Sequence, residues 1–146
     1  MVADANARFT VRDVTWEHEQ TRLRAVRIAV FIVEQNIPEE LEWDEFDATS
    51  MHVIAEDGAG SPVGCGRLLP DGHIGRMAVI SDWRGRGVGA AMLERLVALA
   101  RTRGNGHALL NAQSHAIPFY ARFGFTPVGQ PFMEAGIAHQ AMERQL

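Results

Sequence analysis

Residues 83–92, WRGRGVGAAM, place glycines and arginines directly before an apolar, alanine-rich segment. Glycine adopts positive φ easily and lets a ligand approach the backbone closely. No Ser, Thr, Asp or Asn stands between Arg84 and Gly89 to cap the helix that the apolar segment predicts. The N-terminus of that helix therefore keeps free amide groups and the positive end of the helix dipole, which together favour an anion. The alternative is a flexible glycine turn with solvated arginines.

The hydrophobic pattern on either side of this loop predicts a mixed α/β (α+β) fold with one central sheet. Thr15 is suited to cap the first helix at its N-terminus, and Gly104 is suited to end the long helix. We expect residues 1–146 to form a single domain, with an acidic loop at 36–50. The predicted strands are 8–14, 51–57, 63–70, 73–80 and 107–113, with two more around a loop at 134–138. The predicted helices are 16–35, 88 to about 103, and a short one within 114–125.

Composition narrows the classes of function. The formal net charge of −4 gives no electrostatic support for nucleic-acid binding. No apolar run is long enough to span a membrane, and residues 1–10 lack the basic and apolar blocks of a signal peptide. Cys65 is the only cysteine, which excludes an internal disulfide, argues against a Cys/His metal cluster and fits a reducing compartment. We therefore expect a cytoplasmic protein with no metal site.

Two nucleotide-binding interpretations of the glycine loop fit poorly. Gly85, Gly87 and Ala90 match the dinucleotide pattern G-x-G-x-x-A, which expects an acidic residue about 20 positions further on. Residues 101–113 contain no Asp or Glu. A Walker loop needs a Lys followed by Ser or Thr after its glycines, and this loop has neither.

A family resemblance accounts for the loop better. Arg84, Gly87 and Gly89 form an R-x-x-G-x-G pattern after the apolar stretch RMAVISDW, and PFYARFGFTPVG follows the strand HALLNAQ. These features resemble the GNAT superfamily of acyl-CoA N-acyltransferases. Further stretches resemble its ElaA-like subgroup, namely VFIVEQNIPEELEWDEFD, GRLLP, IGRMAV, LNAQ, FY and GIAH. The resemblance extends from about Arg22 to Met142.

The resemblance implies a mostly antiparallel sheet in which two central parallel strands, HIGRMAVI and HALLNAQ, splay apart at one end. Acetyl-CoA, the implied cosubstrate, lies in that opening, with its pantetheine along 77–79 and its pyrophosphate on the amides of 84–89. The implied acyl-CoA-binding residues are Met77, Ala78, Val79, Arg84, Gly85, Arg86, Gly87, Val88, Gly89, Ala90, Asn111, Phe119 and Tyr120.

The implied reaction is direct attack of a primary amine on the thioester. The backbone N–H of Val79 stabilises the oxyanion, and Tyr120 donates a proton or hydrogen bond to the departing sulfur. Glu34 is the predicted base, although a water chain can replace a single base in this family. The structural alternatives are a packed Tyr120 and a Glu34 that only orders the helix end. The other candidate bases are His52, His115 and His139, and the predicted acceptor-binding residues are Glu34, His52 and His139.

Several features keep two interpretations at this stage. The carboxylates of the acidic loop attract a cationic amine or form a solvated loop, and Trp43 and Phe46 favour docking of the loop onto the body. Cys65 is expected to be a small core residue.

The acceptor is expected to be a small-molecule, peptide or protein amine, and an exposed sheet edge makes a homodimer plausible. The alternative function is a non-catalytic acyl-CoA-binding sensor or scaffold.

Overall fold

The computed structural model describes residues 8–146. The missing signal-peptide pattern was argued from residues 1–10, most of which lie outside the described residues. Its first sheet is antiparallel, with its strands in chain order. Each strand begins and ends within two residues of its predicted bounds. The strands are β1 (Phe9–Val14), β2 (Met51–Asp57), β3 (Pro62–Leu68) and β4 (Ile74–Val79).

In the second sheet, the last strand of the chain is the common pairing partner of the others. This strand, β8 (Ile137–Gln145), pairs antiparallel with β5 (His107–Gln113), β6 (Thr126–Pro127) and β7 (Phe132–Glu134). Within residues 8–146, the two sheets share one isolated parallel bridge, between His73 and Leu109.

The predicted mixed α/β fold with a splayed parallel pair is therefore confirmed. Two expectations were wrong in detail. The central sheet is divided in two, because β4 and β5 diverge beyond their bridge. The C-terminal part contains a third strand, β6, which is only two residues long and too short to show an alternating pattern.

The helices flank both sheets. The first, α1 (Trp16–Arg27), begins at Thr15, whose hydroxyl accepts the backbone N–H of His18 at 3.3 Å, as predicted. It continues as a π-helix (Ile28–Glu34), and the chain leaves the helical path at Gln35. The others are α2 (Glu39–Glu42), α3 (Val88–Arg103) and α4 (Ile117–Ala121). None of the helices that the structure describes is both long and apolar enough to cross a membrane.

Two glycines of β3 allow α3 to pack closely on the first sheet. A Cβ on Gly64 would lie 2.9 Å from the Met92 side chain, and a Cβ on Gly66 would lie 2.9 Å from Leu96. Such distances are far shorter than ordinary van der Waals contacts, so a side chain here would force the Met92 or Leu96 side chain to shift. Cys65 lies between them and is buried, as expected; burial raises the pKa of its thiol to about 12.

The loop at 36–50 is fastened to the body by a set of buried ion pairs, called here the arginine–carboxylate cluster. The Arg27 side chain is 2% exposed and donates to Glu42 at 2.8 Å and to Asp47 at 2.7 Å. Arg67 donates to both oxygens of Asp44 at 2.7 Å and to Asp47 at 2.8 Å. The cluster consists of Arg27, Arg67, Arg76, Glu42, Asp44 and Asp47.

This cluster corrects the interpretation of the acidic loop. Three of its carboxylates bind arginines of the body and are not available to attract a cationic amine, whereas Glu39, Glu40 and Glu45 remain exposed. Trp43 docks the loop as expected, with the Arg27 guanidinium 4.9 Å from its ring. Phe46 is 43% exposed and contributes less.

Removing Arg27 should destabilise the fold strongly, because it leaves two carboxylates buried without their main partner. We expect Arg27→Leu to lower the free energy of unfolding by about 3–5 kcal/mol in a urea titration. The matched control is Arg95→Ala, which breaks an ion pair with Asp13 that is about half exposed and should cost less than about 1 kcal/mol. Equal losses in the two variants would show that the cluster does not anchor the loop.

Candidate active site

The two sheets separate beyond the His73–Leu109 bridge, and we call the opening between β4 and β5 the splay gap. The backbone N–H of Leu109 still bonds the carbonyl of Gly72 at 3.0 Å. The strands run parallel from this point, so both of their C-terminal ends, at Val79 and Gln113, lie at the open end of the gap.

The backbone of Val79 faces the gap rather than β3. Ile80 donates its N–H to the carbonyl of Val63 at 3.0 Å, and Ala78 is paired with Cys65 on the same ladder. Because bonding directions alternate along a strand, the N–H and carbonyl of Val79 point the other way. Its carbonyl indeed accepts from Nε of Arg84 at 2.9 Å. The predicted oxyanion donor is thus directed at the gap, whereas the backbone of Ala78 is directed at β3.

A run of free amide groups lies beyond Val79, at the start of α3. The backbone N–H groups of residues 85–90 have no hydrogen-bond partner within residues 8–146, and we call this run the amide cradle. Gly85 and Gly87 have φ of 77° and 86°, and a Cβ at either would meet nothing within 4 Å. The cradle is therefore open to an approaching anion, as the sequence predicted, and the N-terminus of α3 adds its positive dipole. Arg86 packs over the Trp83 ring at 4.7 Å, which keeps its charge beside the cradle.

The C-terminal end of the π-helix contacts both sides of the gap. Both guanidinium Nη atoms of Arg84 donate to Glu34 at 2.6 Å. The hydrogen bonds from Arg84 lower the pKa of Glu34, so this carboxylate is ionised at neutral pH but is a weak base. The structure therefore brings together Arg84, which was predicted to bind the phosphate, and Glu34, which was predicted to be the base. In this conformation Glu34 holds the Arg84 side chain against the carbonyl of Val79.

The next residue reaches the opposite strand. Gln35 and Gln113 form a reciprocal amide pair, with nitrogen–oxygen distances of 3.1 and 2.9 Å. The last residue of the π-helix and the residue after it thus connect to β4 through Arg84 and to β5 through Gln113. The sequence gives no signal for the glutamine pair, because its partners are 78 residues apart and lie in no common motif.

Tyr120 and Phe119 lie on α4, next to the N-terminus of α3. The Phe119 ring lies 3.5 Å from the position of a Cβ on Gly89, so it packs directly against the cradle. No group within the described residues hydrogen-bonds the Tyr120 hydroxyl, which leaves it available to a ligand. Burial raises the pKa of Tyr120 to about 12, so the phenol keeps its proton at neutral pH. The structural alternative for Tyr120, a hydroxyl bonded to backbone, is not what the structure shows.

A row of side chains crosses the second sheet beside the glutamine pair. Gln113, His139 and Phe132 face one another on β5, β8 and β7. Nδ1 of His139 lies 2.7 Å from the carbonyl of Ile137, and since a carbonyl only accepts, Nδ1 carries the hydrogen. Nε2 of the neutral ring therefore has a free lone pair, and it lies 3.9 Å from the Glu134 carboxylate. This arrangement allows His139 to accept a proton.

The structure does not bring every predicted residue to the gap. His52 lies on β2, which β3 separates from β4, and its Nε2–H donates to the carbonyl of Asp47 at 2.8 Å. It is 2% exposed and packs against Trp16, so its assignment as an acceptor-binding residue is replaced by a structural role. His115 is exposed before α4, whereas Asn111 is exposed on β5 beyond the bridge, at the edge of the gap.

Comparison with known proteins decides the family. The profile of the acetyltransferase (GNAT) domain matches residues 17–146. This chain belongs to the GNAT acetyltransferase family. An uncharacterized N-acetyltransferase of Bacillus subtilis, YjcF, is 39% identical over 121 residues, which cover 80% of this chain and 86% of YjcF.

Solved GNAT structures agree with this assignment. An acyl-CoA N-acyltransferase from Pseudomonas aeruginosa is 31% identical with a TM-score of 0.81, covering 94% of this chain and 98% of that one. Escherichia coli ElaA is 29% identical with a TM-score of 0.83, covering 93% and 99% of the two chains. The expected GNAT fold and ElaA-like subgroup are confirmed, and the chain is a transferase of the acyl-CoA-dependent GNAT class.

The structural role of His52 predicts a pH dependence of stability. Burial lowers the pKa of His52, whereas the unfolded chain titrates near its ordinary value of about 6.5. Below about pH 6.5 the unfolded state binds a proton that the folded state refuses, so stability falls as the pH falls. We expect the melting temperature of the wild type to decrease from about pH 8 to about pH 5.5 more steeply than that of His52→Gln. The control His18→Gln, at an exposed histidine, should retain the wild-type slope.

Parallel slopes in the wild type and His52→Gln would show that His52 does not titrate as its buried position requires.

Proposed function

We propose that this GNAT transferase moves an acetyl group from acetyl-CoA to a primary amine, which attacks the thioester directly. The observation that carries the proposal is the amide cradle, which lies at the open end of the splay gap beside an outward-facing N–H of Val79. The relatives described as N-acetyltransferase and acyl-CoA N-acyltransferase support the same chemistry.

The cradle suits the pyrophosphate of coenzyme A. Free amides at a helix N-terminus bind phosphate through oriented N–H groups and the helix dipole, and Arg86 adds a positive charge. Anchoring at the cradle would direct the pantetheine along β4, where Met77 and Val79 are partly buried beside the gap. Asn111, which is exposed on β5, and Phe119, on α4, would line the other side. This arrangement would place the thioester inside the splay gap, between the two strands.

Two groups are proposed to stabilise the charges that develop in the reaction. The N–H of Val79 would donate to the oxyanion of the tetrahedral intermediate, because it faces the gap and points away from β3. Tyr120 would donate its phenolic hydrogen to the departing sulfur. With a pKa near 12, the phenol remains a donor over the whole physiological range of pH.

The proton of the incoming ammonium needs an acceptor. Nε2 of His139 has the free lone pair for this task, and the nearby Glu134 carboxylate would stabilise the resulting imidazolium. Glu34 stays a candidate only if ligand binding releases it from Arg84. The amine itself, a homodimer and a cytoplasmic location stay predictions.

A panel of amines tests the proposal by the release of free thiol from acetyl-CoA. Small amines, peptides with a free N-terminus and peptides with lysine should be compared, each with a control lacking the amine. Thiol release that depends on one of these amines supports the transferase. Binding of acetyl-CoA without amine-dependent turnover on any of them would support the non-catalytic acyl-CoA-binding module instead.

Tyr120→Phe should separate chemistry from binding. We expect kcat to fall about 100-fold, since general acid assistance is typically worth that much or more. The dissociation constant of acetyl-CoA should stay unchanged, because the ring packing against Phe119 and Phe125 is retained. An unchanged kcat would remove the acid role of Tyr120.

A further inference from the structure

Strand β4 contains a β-bulge immediately before the residues that face the splay gap. Cys65 pairs with Ala78 and Arg67 pairs with Gly75, so two residues of β4 oppose one residue of β3 between these pairs. Arg76 is one of the two, and its φ is 49°. A residue with a Cβ is rare in this left-handed region, so the surrounding structure must hold it there.

The side chain of Arg76 shows what holds it. Its guanidinium donates to the backbone carbonyl of Glu42 from Nε at 3.2 Å and from Nη2 at 3.1 Å. It also binds the carboxylates of Glu42 and Asp44, each at 3.2 Å. Those two residues are in turn fixed by Arg27 and Arg67 in the arginine–carboxylate cluster. Arg76 is therefore tied to a loop that is itself immobilised by buried ion pairs.

The bulge decides which amide of β4 faces the gap. With it, Ile80 donates to Val63, so the N–H of Val79 points away from β3 and into the gap. Without it, regular pairing continued from Arg67 and Gly75 would bring Val79 opposite Val63. The N–H of Val79 would then be used within the ladder, because a shift of one residue reverses the edge at which each backbone group points.

We infer that Arg76 is a positioning residue for acyl transfer, whose tether to the loop at 36–50 holds the β4 bulge and so keeps the N–H of Val79 in the splay gap. The inference rests on the proposed function, in which that N–H serves the acyl donor. It also gives the acidic loop a role: its carboxylates and carbonyls fix the backbone of the donor site rather than attract the acceptor.

Two substitutions of Arg76 distinguish a role in holding the β4 bulge from a role in only attaching the loop at 36–50. Both remove the arginine side chain. Arg76→Ala loses the tether and leaves a residue that disfavours positive φ, so the bulge should relax. Arg76→Gly also loses the tether, but glycine accepts the left-handed conformation without it. If a tenth of the Arg76→Ala molecules keep the bulge, their dissociation constant for acetyl-CoA rises about tenfold. Arg76→Gly should stay within about threefold of the wild type.

The same two variants allow a readout that needs no ligand. In the wild type and Arg76→Gly, amide hydrogen exchange followed by NMR should be fast at Val79 and slow at Ile80. In Arg76→Ala, Val79 should become protected. A thermal melt of each variant verifies that it is folded before the comparison is made.

Each result bears on one claim. Equal loss of acetyl-CoA affinity in Arg76→Ala and Arg76→Gly, or wild-type affinity in both, would overturn the positioning role. Failure of the wild type to bind acetyl-CoA would contradict the proposed function. In that case amide exchange at Val79 still tests the tether. Fast exchange of the Val79 amide in folded Arg76→Ala would overturn the tether without any use of acetyl-CoA.

Discussion

The parting of two parallel strands after one bridge is the constraint on which the rest of this structure depends. Within residues 8–146, β4 and β5 are joined by the single bridge His73–Leu109, and beyond it each presents a backbone edge to the splay gap. Free backbone groups inside a protein are costly unless a ligand or another group satisfies them. The carbonyl of Val79 is satisfied by Arg84, whereas its N–H points away from β3 into the gap. The gap is thus an incomplete ladder that an extended, amide-bearing acyl carrier can complete.

The surrounding elements keep this gap in shape from both sides. On one face, the glycines of β3 let α3 approach, so that the amide cradle reaches the end of β4. On the other face, the arginine–carboxylate cluster fixes the loop at 36–50, and the end of the π-helix brings Glu34 and the following Gln35 to the two sides of the gap. Most of the buried charge in this chain therefore organises backbone geometry.

Local patterns in the sequence predicted the strands, the long helix and the amide cradle, because periodicity, capping and glycine conformation depend on near neighbours. Long-range pairing explains what was missed. Arg27 and Asp47 are 20 residues apart, so an isolated acidic loop could not be distinguished from a docked one. The positive φ of Arg76 had no signal, since only its tertiary contacts hold it there. His52 resembled a candidate base by residue type, and only its depth in the fold gave it a structural role.

Calorimetric titration of acetyl-CoA tests most directly whether the amide cradle binds the acyl donor. The wild type should bind one equivalent, and Gly87→Glu should not, because it places a carboxylate where the pyrophosphate would lie. Gly104→Glu is the matched control: Gly104 ends the same helix, has φ of 92° and is equally open, so it carries similar strain far from the cradle. The account predicts that Gly104→Glu binds like the wild type. A folded wild type that does not bind, or a Gly87→Glu variant that binds normally, would contradict it.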